Sequence, residues 1–369
     1  MKFIIAHQTL TNGDAVSNDI FGMYYALEEE GHEVKIYCEN YFAQRDIDVL
    51  TNAEVNKLLK NQDVTMIYHH SVEWEFGNQI IKDCKGKVII RYHNITPPEF
   101  FEPYDPFAFM KTTEGRFQTQ QLAMNAKENV IWLSDSVYNN NEILDLGVNP
   151  NKTFVIPPFH QVHELEKVSI NNTFYNIIRN NGKINVFFVG RVAPNKGHKN
   201  MIEVAKSFKQ LYGEKAVFWI SGGFDDGLKK YNDEIHELIE NYNVKDIIKF
   251  TNKINIEDLK TLFLACDVFL CLSEHEGFCV PLIEAQNFKI PVVALDTSAV
   301  AETLGPNQLT YKIFNTEIFA AAINEIANNK EINNFLIENG NTNYISRFAV
   351  EKIKDGFINY IKKQVLEEA

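Results

Sequence analysis

Runs of five to seven apolar, β-branched and aromatic residues alternate with amphipathic stretches along this chain, and the alternation starts over once. The first series is KFIIA (2–6), EVKIYC (33–38), VTMIYH (64–69), KVIIRYH (87–93), NVIWLS (129–134) and TFVIP (153–157). The second is INVFFVG (184–190), AVFWISG (216–222), IIKFT (247–251), DVFLCLS (267–273) and PVVAL (291–295). Strands buried on both faces read as such continuous runs, and parallel neighbours are joined by crossovers, usually helical. Two successive series therefore predict an α/β chain with two doubly wound parallel sheets.

At 369 residues there is room for two domains of ordinary size. Pro157-Pro158 closes the first series, and the polar stretch 156–172 reads as a linker. The expected division is an N-terminal domain over 1–165, a C-terminal domain over 166–348 and a closing helix over 349–369. In that last stretch Ile353, Phe357, Ile361 and Val365 recur every fourth residue, one helical stripe. No strand follows it, so it must dock on a body already built. Within the first series, Ser17 is the expected N-cap of the helix in SNDIFGMYYALEEEG, Gly31 its stop, and Gly147 the stop of the helix over 135–147.

The net charge is −13 and unevenly spread: residues 1–165 carry 13 Lys and Arg against 23 Asp and Glu, and the remainder 23 against 26. An acidic first half argues against nucleic acid or an anionic membrane as the main partner. A nearly neutral second half leaves room for a local phosphate site. Cys38, Cys84, Cys266, Cys271 and Cys279 form no CxxC pair, which fits buried thiols in a reducing compartment. The histidines show no HxxxH or HExxH spacing, so no metal cofactor is expected. The apolar run at the start is too short for a signal peptide, and no run reaches about 18 apolar residues. A cytoplasmic location is expected, with membrane contact at most peripheral, at its inner face.

Two motifs in the second half carry chemistry. GRVAPNKG (190–197) leaves the end of a strand and enters a helix. Ligands of open parallel sheets bind beyond the carboxyl ends of strands, so Arg191 and Lys196 face that crevice from one loop. A guanidinium forks onto two phosphate oxygens, and an ammonium acts as a compact point charge. SEHEGFCVPLIEA (273–285) follows the strand DVFLCLS. Pro281 suits the first turn of a helix, which places Glu276 in the preceding loop and Glu284 about one turn inside. Gly277 lets backbone come close to a ligand, and the amides of Phe278, Cys279 and Val280 can point at bound oxygens. Carboxylates accept hydrogen bonds from vicinal hydroxyls, which sugars and ribose carry.

Together these motifs resemble the retaining glycosyltransferases of family 4, from the glycine turn near residue 13 to the end of the chain. The resemblance is strongest at the two motifs, the second of which has the family's two glutamates with seven residues between them. It implies the GT-B architecture: two Rossmann-like domains facing a central cleft, the first (1–165) binding the acceptor and the second (166–348) the nucleotide-sugar donor, with the last helix returning to the first domain. It implies transfer, with retention, from a nucleoside diphosphate sugar to a hydroxyl acceptor, a saccharide or lipid-linked saccharide of bacterial surface glycans. Arg191 and Lys196 would neutralise the diphosphate. Glu276, with the amides of Gly277 to Val280, would hold the donor sugar and its phosphate, and Glu284 the ribose hydroxyls. Asn252, Lys253 and Ile254 of FTNKI would bracket the base, and Gly222 and Gly223 would line the crevice floor. Cys279 departs from the family, which more often has glycine there, so its side chain must point away from the donor.

In the first half, HQTLTNGDAVSNDIFG (7–22) is no GxGxxG fingerprint, which counts against a nicotinamide enzyme. By resemblance, Gly13 would bring backbone near the donor phosphates. His93 ends a strand, and the family's histidine at this place reaches the donor sugar. Asn94 and Glu99 are candidates to contact donor or acceptor, and His69, His70, Glu73 and Glu75 of HHSVEWEF (69–76), which also follows a strand, are acceptor-side candidates or a solvated loop. Two other readings of such a chain stand beside this one. A non-hydrolysing nucleotide-sugar epimerase would need acid and base groups around a sugar carbon. A non-catalytic partner subunit would be expected to lose part of the donor set.

Overall fold

The computed structural model describes residues 1–366. The chain forms two compact units, one built from Met1–Pro98, Phe107–His160 and the stretch from Ala349 onward, the other from Glu99–Pro106 and Gln161–Phe348.

The first unit holds β1 (Lys2–Ala6), β2 (Thr9–Leu10), β3 (Glu33–Tyr37), β4 (Asn40–Tyr41), β5 (Val49–Leu50), β6 (Val64–His70), β7 (Val88–Tyr92), β8 (Val130–Ser134) and β9 (Thr153–Val155). Seven of these make one parallel sheet in the order β5-β3-β1-β6-β7-β8-β9, while β2 and β4 pair separately. Because side chains alternate along a strand, β1 sends Phe3 and Ile5 into one core and Ile4 and Ala6 into the other. The C-terminal helix Val350–Ile361 covers the first of these cores with Ile353, Phe357 and Ile361, and Val365 joins them from the π-helical stretch Lys362–Leu366 that continues it. Each such side chain contributes roughly 1.5–3 kcal/mol on burial. The last part of the stripe expected over 349–369, residues 367–369, lies outside the described residues.

The second unit holds β10 (Ile184–Val189), β11 (Ala216–Ser221), β12 (Ile248–Asn252), β13 (Val268–Cys271), β14 (Val292–Leu295) and β15 (Leu309–Tyr311). They form a parallel sheet in the order β12-β11-β10-β13-β14-β15. In each sheet the chain winds outward over three strands, returns to the centre and winds the other way, which is the dinucleotide-binding arrangement.

Two local expectations are corrected. Asp14, not Ser17, caps helix Ala15–Glu29: its carboxylate accepts from Ser17 N–H at 2.9 Å, and Ser17 lies inside the first turn. The stretch read as a linker contains helix Val162–Lys167, whose Val162 and Leu165 are buried. Strands β5 and β15 are too short to stand out as apolar runs. All five cysteines are free and buried. No helix among the described residues is long and apolar enough to cross a membrane.

Candidate active site

The winding of the second sheet reverses between β10 and β13, and ligands of such sheets sit beyond the strand ends at that point. The loops leaving these two strands are the two motifs. Gly197 lets them meet: its φ is +68°, and a Cβ there would lie 1.8 Å from the carbonyl oxygen of Leu272. Any side chain would force the loops apart. Asn195 then clasps them. Its carbonyl accepts from the N–H groups of Glu274 at 2.8 Å and His275 at 3.3 Å, and its amide donates to the His275 carbonyl at 3.2 Å.

This clasp sets Lys196 Nζ at 2.8 Å from both carboxylate oxygens of Glu276. The Glu276 side chain is 9% exposed and that of Lys196 26%. Burial pulls the ammonium down, but the Glu276 carboxylate outweighs it and holds Lys196 above its ordinary range. Glu276 is braced in turn: its N–H donates to Ser298 Oγ at 2.8 Å and its carbonyl accepts from Ala299 N–H at 3.3 Å. The Thr297 hydroxyl donates to the Ser273 carbonyl and the Thr303 hydroxyl to the Phe278 carbonyl, both at 2.6 Å. Asn195, Thr297, Ser298 and Thr303 went unmarked in the sequence, because each is an ordinary turn or helix-start residue there.

Arg191 stands on the same loop as Lys196, 60% exposed, with Nη1 3.4 Å from Asp225 Oδ2. An exposed pair of this kind is worth about 1 kcal/mol at most, so the guanidinium can exchange Asp225 for a phosphate cheaply. Cys279 occupies the left-handed region at φ +74°, a conformation that ordinarily favours glycine. Its buried thiol hydrogen-bonds with Cys271, which pushes it well above the ordinary thiol range. The Phe278 ring is also turned inward, edge-on to Phe348 at 5.4 Å. Side chains are thereby withdrawn from this turn, and helix Val280–Asn287 begins directly after it. Among the described residues, the N–H groups of Phe278, Cys279 and Val280 donate to no protein acceptor. Such first-turn groups form a ready anion site.

Glu284 lies one turn into that helix, half-buried, and burial pushes its carboxyl up to about 7. The neighbouring strand ends approach just as closely. At Gly222, φ is +153° and a Cβ would lie 1.9 Å from the Gly190 carbonyl oxygen, while its N–H donates to Asn252 at 3.0 Å. A Cβ on Gly223 would meet nothing within 4 Å. Asn252, at φ +57°, and Lys253 are exposed, and Ile254 is half-buried.

In the first unit His93 belongs to a buried charge cluster. Its Nδ1 is 2.8 Å from Asp135 Oδ2 and its Nε2 2.8 Å from His69 Nδ1. Arg91 joins Asp135 at 2.7 Å to Asp19 at 2.8 Å and donates to the carbonyls of Ser134 and Ile156. Asp19, His69 and His93 offer donor atoms within 4.8 Å of one another, a spacing that would suit a metal ion. Those atoms are already engaged, Asp19 by Arg91 and the two imidazoles by each other. Burial, with His93, His7 and Arg91 nearby, keeps His69 neutral, well below the ordinary histidine range.

The acceptor-side candidates are not exposed together. The His69 side chain is 0% exposed, so it braces His93 instead of meeting an acceptor. Asn94, at φ +69°, is buried and donates to Asn139 at 2.9 Å and Glu142 at 2.8 Å, which makes it a structural tie. His70 is buried beside Thr119 Oγ1 at 2.8 Å. Glu99 is exposed on the turn Pro98–Phe100 and clusters with the second unit. Gly13 takes φ +78° just before helix Ala15–Glu29, with open space around its Cα.

Residues 170–343 match the family model described as Glycosyl transferases group 1. Among similar proteins, an uncharacterized 41.2 kDa protein of the cps region of Klebsiella pneumoniae is 24% identical over 84% of this chain and 82% of its own length. The lipopolysaccharide core biosynthesis glycosyltransferase LpsE of Rhizobium meliloti is 26% identical over 48% of this chain and 49% of its own. Among solved structures, Anabaena Alr3699/HepE in complex with UDP and glucose superposes with a TM-score of 0.76 at 16% identity, covering 98% of this chain and all of that one. Sucrose-phosphate synthase from Thermosynechococcus elongatus gives 0.76 at 15% over the whole of both chains. The fold class is GT-B.

Proposed function

We propose that the chain, whose residues 170–343 match the Glycosyl transferases group 1 model, is a glycosyltransferase that moves a sugar, with retention, from a nucleoside diphosphate sugar to a hydroxyl of a saccharide or lipid-linked saccharide. The observation that carries this reading is the pairing of Lys196 with Glu276 at the carboxyl ends of β10 and β13. The acceptor oxygen bonds to the anomeric carbon as the bond from that carbon to the diphosphate breaks. The electron pair stays on the departing diphosphate, which also takes the hydroxyl proton. Negative charge therefore grows on the phosphate, and preorganised charge aimed there is the main catalytic lever.

Lys196, Arg191 and the N–H groups that open helix Val280–Asn287 supply that charge, so transfer is proposed to run without a metal ion. Glu276 is assigned to the donor sugar and Glu284 to the ribose, with Asn252, Lys253 and Ile254 beside the base. Of the first unit, His93, held by Asp135, is the group assigned to the reacting sugar. The Rhizobium relative's named role in lipopolysaccharide core biosynthesis supports a place in bacterial surface-glycan assembly, and the inner face of the membrane is the location proposed. A thermal-shift panel of nucleotide sugars, followed by transfer assays with and without chelator, tests the reading. At least one nucleoside diphosphate sugar is expected to raise the melting temperature and to be turned over in chelator. If none does either, the assignment fails.

A further inference from the structure

The first unit has a groove of about 890 Å³, lined in part by Glu73 and Glu75 of the loop HHSVEWEF. It is built at the carboxyl ends of three neighbouring strands. Gln8 follows β1, Glu39 follows β3, and Glu73 to Glu75 follow β6. The winding of this sheet reverses between β1 and β6, so the groove occupies the place where open α/β sheets bind ligands. Backbone bonds hold its floor: His7 N–H donates to Tyr37 at 3.1 Å, and Glu39 N–H to Gln8 at 3.0 Å. Buried Gln118 clamps the β6 loop, accepting from Trp74 N–H at 2.9 Å and donating to the Trp74 carbonyl at 2.7 Å.

The lining has the chemistry of a carbohydrate subsite. Carboxylates and side-chain amides meet hydroxyl groups, and the Phe117 ring, 59% exposed, offers an apolar face for sugar C–H groups. Its charge is one-sided. Glu39, Glu73, Glu75 and Glu114 face a single cation, Lys111, which is already held by Glu73 at 3.1 Å and Glu114 at 3.0 Å. Glu39 and Glu75 are exposed and take part in no ion pair among the described residues. We propose that this groove seats the acceptor and selects a neutral or amine-bearing saccharide over one carrying carboxylate or phosphate. The proposal rests on the glycosyl-transfer reading; of the acceptor-side candidates it keeps Glu73 and Glu75 and sets aside His69, Asn94 and Glu99. Two uncompensated carboxylates within a few ångströms of a bound anion repel it strongly at moderate salt.

The test is a glycan array of neutral, amine-bearing, uronate-bearing and phosphate-bearing saccharides, probed with the full chain and with the Glu39→Gln/Glu75→Gln variant. The wild type is expected to retain neutral or amine-bearing glycans, favouring them over uronate counterparts by about tenfold or more. The double variant is expected to lose about tenfold of that preference while its stabilisation by nucleotide sugar stays unchanged. Preferential capture of acidic glycans, capture of none, or a preference untouched in the variant would each overturn the groove assignment. Absence of any stabilisation by nucleotide sugars would instead count against the donor reading, leaving the array to judge the groove.

Discussion

Lys196 Nζ and the two carboxylate oxygens of Glu276 lie at 2.8 Å although 80 residues separate them in the chain. The cation proposed for the diphosphate is thus held in position by the carboxylate proposed for the sugar. Replacing Lys196 with alanine is expected to lower kcat/KM by about a hundredfold or more, and replacing Arg191 to do the same. The two should differ in stability. Lys196→Ala strands a nearly buried carboxylate and is expected to cost about 1–3 kcal/mol, whereas Arg191→Ala, at an exposed pair, should cost under about 1 kcal/mol. Steady-state kinetics with urea denaturation of both variants checks this, and near-normal transfer by both refutes the phosphate clamp.

The glycines of the second unit separate by the space around them. Gly197→Ala meets a positive φ and a carbonyl at 1.8 Å, so a loss of about 2 kcal/mol or more is expected, with weaker nucleotide binding as the loops part. Gly223→Ala enters open space and should change stability by less than about 0.5 kcal/mol. Melting curves of the two variants side by side decide the matter; equal losses would contradict the close approach at Gly197.

Glu284 should make stability and binding depend on pH. Its folded carboxyl is pushed up to about 7 from an ordinary 4.5 by burial. Below 4.5 both folded and unfolded forms hold the proton and the shift costs nothing; between 4.5 and about 7 the unfolded form ionises first, and stability falls as pH rises. Glu284→Gln is therefore expected to gain melting temperature over the wild type at pH 8 but not at pH 4. Ribose hydroxyls donating to the carboxylate favour its ionised form, so nucleotide binding near pH 6.5 should release a proton. Calorimetry in buffers of different ionisation enthalpy measures that release, which Glu284→Gln should abolish.

The buried cluster of the first unit should be sensitive to which charge is removed. Arg91→Met leaves Asp19 and Asp135 facing each other without a cation, and a loss of about 3–5 kcal/mol is expected. Asp135→Asn leaves Arg91 its contact with Asp19 and should cost less stability, but it removes the carboxylate that orients His93 and should lower kcat for transfer by about tenfold or more. Denaturation and steady-state kinetics of the two variants separate these effects. An unchanged kcat in Asp135→Asn would remove His93 from the mechanism.

The sequence carried what depends on runs and local spacing. The long strands, the helix stripe at Ile353, Phe357 and Ile361, and the two motif loops are all visible as patterns. Contacts set by sheet order were not. That β10 neighbours β13, and so that Lys196 meets Glu276, follows from a topology which no local window displays. The direction of a side chain at a strand end was equally hidden. His69 and Asn94 sit where ligands bind, yet His69 turns into the charge cluster and the positive φ of Asn94 directs its amide to Asn139 and Glu142. Asp19 and Asp135 look like helix-start acids, and only their shared partner Arg91 reveals a buried network. Asp14 and Ser17 are both good caps by residue type, and the geometry of one turn chose between them.

A crystal structure of the full chain with the nucleoside diphosphate that stabilises it best addresses the account at its root. The expected result is diphosphate oxygens within about 3 Å of Lys196 Nζ and of the N–H groups opening helix Val280–Asn287, with the ribose on Glu284. A nucleotide bound with its phosphates on any other surface, and Lys196 still closed on Glu276, would contradict it.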